Sequence, residues 1–183
     1  MSIQHSAIVL DADNHEPKGC PTATTGKVYV SDGAGSGAWT LRACYGELYI
    51  TSGATAQALT ATAARLDPGT AWDAGVSSNI TMTPDDGTFT VTTAGDYVTH
   101  LWVSFDTDSV AAETLYTFYY AIDGVAAARS FTVQKLTAGV DRLTNGVFGI
   151  ISLTAGQVLS IYAKSSTNST ITVKEAGFSL HKA

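Results

Sequence analysis

The sequence predicts an all-β fold, an antiparallel sandwich or barrel of short strands, on three observations. Apolar runs rich in β-branched and aromatic residues recur roughly every ten residues, with turn chemistry between them. No amphipathic helix of ordinary length interrupts them. Only 14% of the residues are charged against 45% hydrophobic, a balance that favours a folded core over a disordered chain.

Residues 1–45 read as an extended arm ending in a hairpin, separate from a domain over residues 46–183. His15, Glu16, Pro17, Lys18, Gly19, Cys20 and Pro21 form an irregular stretch, because proline fixes φ and removes a donor. Lys27–Val30 and Ala38–Leu41 are short strand signals around a glycine-rich turn, Ser31–Gly37. Tyr29 and Trp39 are the large side chains of this hairpin, which alone would be marginal in water. The Gly33–Gly37 run is followed by a strand rather than a helix and lacks a closing Lys-Ser or Lys-Thr. It therefore reads as a turn and not as a phosphate loop.

From Gly46 the strand pattern is continuous. Leu48–Ile50 is a first strand, and the Ala- and Thr-rich stretch 51–64 is a loop or thin edge. A turn at Asp67-Pro68-Gly69 precedes Trp72, which has no strand signal around it. Ile80–Thr83 and Thr88–Thr92 follow, with Phe89 and Val91 pointing inward by alternation. Tyr97–Phe105 and Leu115–Ile122 are the strongest runs, the second closing on Asp123-Gly124. Later runs are Ala126–Lys135, Val147–Leu153, Val158–Ala163, Ile171–Lys174 and Phe178–Leu180.

The two strongest runs carry large side chains at both parities, whereas a strand with one wet face alternates cleanly. In the first, Tyr97, Leu101, Val103 and Phe105 oppose Val98, His100 and Trp102. In the second, Tyr116, Phe118, Tyr120 and Ile122 oppose Leu115, Thr117, Tyr119 and Ala121. One set fills a core, and the other meets a partner, expected to be another copy of the chain. His100, Trp102, Tyr116, Phe118, Tyr120, Phe148, Tyr162 and Phe178 are the candidates for core or self-association interface. Parity alone does not divide them.

Catalytic and metal chemistry find no foothold. Nucleophile elbows of the Gly-x-Ser-x-Gly type are absent, and His5, His15, His100 and His181 show no ligand spacing. Asp106-Thr107-Asp108 lacks the rest of a calcium loop and reads as a solvated turn. The expectation is no enzyme, no cofactor and no bound metal. A net charge of -6 with ten scattered basic residues argues against a nucleic-acid partner. There is no apolar run long enough for a membrane span and no secretory signal. Cys20 and Cys44 could pair, but two cysteines make no framework, and the reduced state is preferred.

The motif order from Gly95 onward resembles the globular heads of complement-type and tumour necrosis factor-like proteins. The carriers are Gly95-Asp96-Tyr97, the strand ending at Phe105 and the aromatic strand closing on Asp123-Gly124. They continue in Leu153-Thr154-Ala155-Gly156-Gln157-Val158-Leu159-Ser160-Ile161 and the final Phe178–Leu180. The family usually has Asp where Gln157 stands, in a surface turn. The resemblance implies, over residues 46–183, an antiparallel jelly-roll sandwich that trimerises side by side.

The N-terminal piece, Asn14–Gly19 and Gly26–Trp39, resembles the leader of tailed-phage head-decoration, head-fibre and tail-fibre proteins. That implies a structural protein on the capsid surface of the virion, made in the host cytoplasm. Its arm (His15, Glu16, Pro17, Lys18, Tyr29, Trp39) would dock on the major capsid protein or another virion protein. The alternative is a receptor- or glycan-binding tail-fibre module, with a host-surface glycan as partner and exposed aromatics such as Trp72 as contacts.

Overall fold

The computed structural model describes residues 27–31, 37–41, 43–67, 72–108, 113–136 and 142–183. His15, Glu16, Pro17, Lys18 and Cys20 lie outside the described residues, as do the centre of the glycine-rich turn and Pro68-Gly69. The chain divides into two compact units, Met1–Ala43 and Cys44–Ala183.

The first unit holds the expected hairpin. Strand β1 (Lys27–Ser31) pairs antiparallel with β2 (Gly37–Leu41), placing Tyr29 opposite Trp39. Their rings meet edge to face at 5.5 Å. Such a cross-strand aromatic pair supports a hairpin by a few tenths to about 1 kcal/mol.

The second unit is an antiparallel jelly-roll sandwich. In one sheet β10 (Thr114–Ile122) lies between β11 (Val125–Leu136) and β13 (Val158–Ser165). Next to β13 come β8 (Thr88–Val91) and β7 (Ile80–Thr83), with the short β5 (Ala64–Arg65) also on β13. In the other sheet β9 (Gly95–Thr107) lies between β12 (Arg142–Leu153) and β14 (Ser169–Lys182). Beyond β14 come β3 (Tyr45–Ile50) and β6 (Asp73–Ser78), with β4 (Ala56–Leu59) also on β14. Among the described residues the one helical element is a 3-10 turn, Pro84–Asp86.

The core forms where the inward parities of the two sheets meet. Phe178 is its hub, with ring centroids 4.5 Å from Phe89, 5.8 Å from Tyr120 and 6.4 Å from Trp72. Phe105 extends it to Phe118 at 5.2 Å and Tyr116 at 5.4 Å. Tyr97, Leu101 and Val103 complete the inward face of β9. Tyr116, Phe118, Tyr120 and Phe178 are therefore core residues, fully excluded from solvent.

Turn chemistry holds the strands in register. Asp123 (φ 50°) and Gly124 (φ 80°) make the tight turn between β10 and β11 that the Asp-Gly dipeptide announces. The Asp123 carboxylate accepts from the Val158 N–H at 2.9 Å and the Gln157 side-chain amide at 3.2 Å. Gln157 also accepts from the Thr154 N–H at 2.9 Å. Gln157 thus closes its own turn and ties it to the neighbouring one.

Three elements differ from expectation. Asp73–Ser78 is a strand, although Asp-Ala-Gly-Val-Ser-Ser has weak β-propensity; it is a largely exposed edge supported by β3. The last two expected strands are one, β14, broken only in register between Val173 and Glu175. Ile171 and Val173 face inward before that bulge, and Ala176, Phe178 and Leu180 after it. One inserted residue moves the inward set from odd to even positions. Trp72 is 3% exposed and rests edge-on against Phe178, so it is a core residue and not a surface contact for a glycan.

Buried phenols link this core to pH. Burial, reinforced by nearby Cys44, pushes the Tyr97 hydroxyl up to about 12, and burial raises Tyr120 further. Tyr97 donates to the Thr93 carbonyl at 2.6 Å and Tyr120 to the Val147 carbonyl at 2.9 Å. An acid whose folded pKa lies above its unfolded value, about 10 for tyrosine, stabilises the fold fully below pH 10. That contribution is lost as pH rises through the folded value. Thermal melts are therefore expected to be flat up to about pH 10 and to fall steeply towards pH 12. Tyr97→Phe should lower stability at neutral pH by about 1 kcal/mol and flatten the alkaline slope. An unchanged slope would remove Tyr97 from this account.

Candidate functional site

The outer face of the β12–β9–β14–β3 sheet is built as a grid by strand register. Trp102 lies between Gly146 and Gly177. His100 lies between Phe148 and Ser179, with Glu47 beyond; Val98 lies between Ile150 and His181, with Tyr45 beyond. Every second residue of each strand points this way because the side-chain period of a strand is two.

The face is apolar where a lone domain would carry polar groups. Phe148 is 73% exposed, Ile150 68% and Trp102 38%. The His100 and Phe148 rings contact at 5.6 Å. Trp102 lies over Gly177, where an added Cβ would stand 2.3 Å from the indole Nε1, so the absence of a side chain lets the ring lie against the sheet. Charged groups of both signs border the patch. Glu47 and Glu175 are exposed, and Lys174 sits 3.6 Å from Asp106.

The sequence-derived candidates now divide. Tyr116, Phe118, Tyr120 and Phe178 lie in the core, while His100, Trp102 and Phe148 share the exposed face. Tyr162 belongs to neither: it lies on the outer side of the opposite sheet, beside Tyr119 at 6.0 Å. Ile150 was not among the candidates, yet it has the parity of Phe148 in a run apolar on both faces, which is the signal that finds it. Gly177 had no such signal, because its role depends on a ring from another strand. Of the arm, Tyr29 and Trp39 form the hairpin pair.

The turn carboxylates have local partners. Asp108 accepts from the Thr170 N–H at 2.8 Å. Cys44 is a buried free thiol. Among the described residues no three His, Cys, Asp or Glu side chains converge on one point, and no helix is long and apolar enough to cross a membrane.

The chain is similar in structure to the globular domain of zebrafish complement 1qA protein, with a TM-score of 0.51 and 13% sequence identity. The match covers 76% of this chain and 96% of that one. At this identity the likeness establishes the fold, and it agrees with the complement-type jelly roll expected from the motifs after Gly95. No protein-family model and no curated protein matches the sequence.

Proposed function

We propose that this chain is a homotrimeric, non-enzymatic structural component of a tailed-phage virion, a capsid-decoration or head-fibre protein. Its N-terminal segment docks on the major capsid protein and its jelly roll is displayed outward. The observation that carries the self-association is the exposed Phe148–Ile150–Trp102 face. Monomers rarely leave such a contiguous apolar patch to solvent. Burying it is worth about 25 cal/mol per Å². A second copy suits the face because its centre is apolar and its carboxylates, Glu47, Glu175 and the Lys174-paired Asp106, stand at its border, where solvent screens like charges. The attachment role is supported by the likeness of Asn14–Gly19 and Gly26–Trp39 to phage leaders and by the separate compact unit they belong to.

Sedimentation of the full chain at micromolar concentration should give three times the chain mass. The double variant Phe148→Asp, Ile150→Asp should sediment as a folded monomer. A monomeric wild type at that concentration would rule out the trimer. A chain beginning at Cys44, the start of the second unit, should keep its mass ratio yet fail to bind its particle; continued decoration would assign attachment to the jelly roll instead.

A further inference from the structure

The opposite side of the sandwich carries a hollow that self-association through the Phe148 face leaves free. On the outer face of the β11–β10–β13 sheet, register places Leu115 beside Lys135, Thr117 between Val133 and Lys164, and Tyr119 beside Tyr162. Leu115, Thr117, Lys164, Ser165, Ser166 and Ala61 line an open hollow of about 230 Å³. That is below the roughly 300–1,000 Å³ of pockets that hold drug-sized molecules, so it fits one ring-sized unit.

The lining specifies that unit. Leu115, 39% exposed, supplies an apolar floor. Beyond the hollow, further along the same two strands, the Tyr119 and Tyr162 rings, tilted by 33°, form an aromatic shelf. Ser166 Oγ already accepts from the Leu115 N–H at 2.9 Å, so its hydroxyl proton points to a further acceptor. Thr117 adds a second hydroxyl. Among the described side chains on this side of the sandwich, the cations Arg65 and Lys135 have carboxylate partners. Arg65 is 2.9 Å from Asp86, and Lys135 is 2.8 Å from Glu113. Lys164 has no carboxylate partner among the described residues. In a chain of net charge -6, an unmatched ammonium beside an apolar floor favours an anion. A phosphate would call for converging cations or backbone N–H groups. One lysine with hydroxyls and aromatic faces suits a single carboxylate on a ring that has an apolar face and a hydroxylated edge.

We infer that this hollow binds a carboxylated sugar, one acidic pyranose unit of a longer saccharide. Lys164 pairs with the carboxylate, Thr117 and Ser166 bond to ring hydroxyls, and the apolar ring face lies on Leu115, while the Tyr119–Tyr162 shelf takes the next unit of the saccharide. The inference stands apart from the trimer and from capsid attachment.

Titration calorimetry of the full chain with trigalacturonate, and with uncharged maltotriose as the comparison, tests it. Trigalacturonate should bind saturably and more weakly as salt rises, and maltotriose at least about tenfold more weakly. Lys164→Gln should lower trigalacturonate affinity by about tenfold or more, Lys164→Arg should retain it, and Lys174→Gln on the other sheet should leave it unchanged. Absence of saturable binding at millimolar trigalacturonate would overturn the inference. So would equal binding of maltotriose, or wild-type affinity in a folded Lys164→Gln chain. None of these results bears on the sedimentation mass, so the two readings fail separately.

Discussion

Phe178→Ala is expected to lower the unfolding free energy by about 3–5 kcal/mol. Phe178 is fully buried and its ring meets three other aromatic rings, Phe89, Tyr120 and Trp72, contributed by different strands. Removing it opens a cavity at the one point where both sheets and the Trp72 segment converge. None of those large rings can collapse into the space without leaving its own rotamer. Phe148→Ala is the matched control. It deletes the same atoms from a side chain 73% exposed, and should change monomer stability by no more than about 0.5 kcal/mol while weakening self-association. Urea denaturation of both variants, each built on a chain already carrying Ile150→Asp to keep it monomeric, separates the two effects. A loss below about 1 kcal/mol for Phe178→Ala would mean that the hub is not where the structure places it.

These two phenylalanines mark what is legible in the sequence. Period-two alternation divides β9 and most of β10 into two faces correctly: Tyr97, Leu101, Val103 and Phe105 from His100 and Trp102, and Tyr116, Phe118 and Tyr120 from Leu115, Thr117 and Tyr119; it fails at the end of β10, where Ala121 is buried and Ile122 partly exposed beside a register shift. It also exposes the surplus of large side chains on the outward parities. Alternation does not say which sheet a strand joins. The outward sides of β9 and β10 point to opposite sides of the sandwich, so one partner does not cover both. Trp72 escapes the pattern because its burial comes from a long-range contact with Phe178, over a hundred residues away in sequence, and not from local strand periodicity. The edge strand β6 escapes it because pairing with β3, rather than propensity, makes it a strand.

The bulge in β14 is the feature least visible in the sequence and the one on which most depends, and Gly53→Ala should break it. The Gly53 N–H donates to the Lys174 carbonyl at 2.8 Å, at the residue where the register slips. A Cβ at Gly53 would lie 1.8 Å from the Val173 carbonyl oxygen and 2.9 Å from its carbon. Both are backbone atoms of a central strand, so no side chain can swing aside to relieve the contact. The glycine is required here for space, and the contact fixes the turn at Thr51–Gly53 onto the bulge. Gly177→Ala meets a different neighbour, the Trp102 indole, which can lift off the sheet into solvent. We expect about 3 kcal/mol of destabilisation for Gly53→Ala against about 1 kcal/mol for Gly177→Ala, the latter with a red-shifted tryptophan emission. The consequence of the first reaches further than its own site. The one-residue slip at Lys174 turns Phe178 inward to the core hub and Gly177 outward beneath Trp102. Weakening the bulge therefore loosens the core and the exposed apolar face together. Near-UV circular dichroism and sedimentation of Gly53→Ala should report both losses at once. Wild-type stability in that variant would show that β14 holds its register without the Gly53 seat.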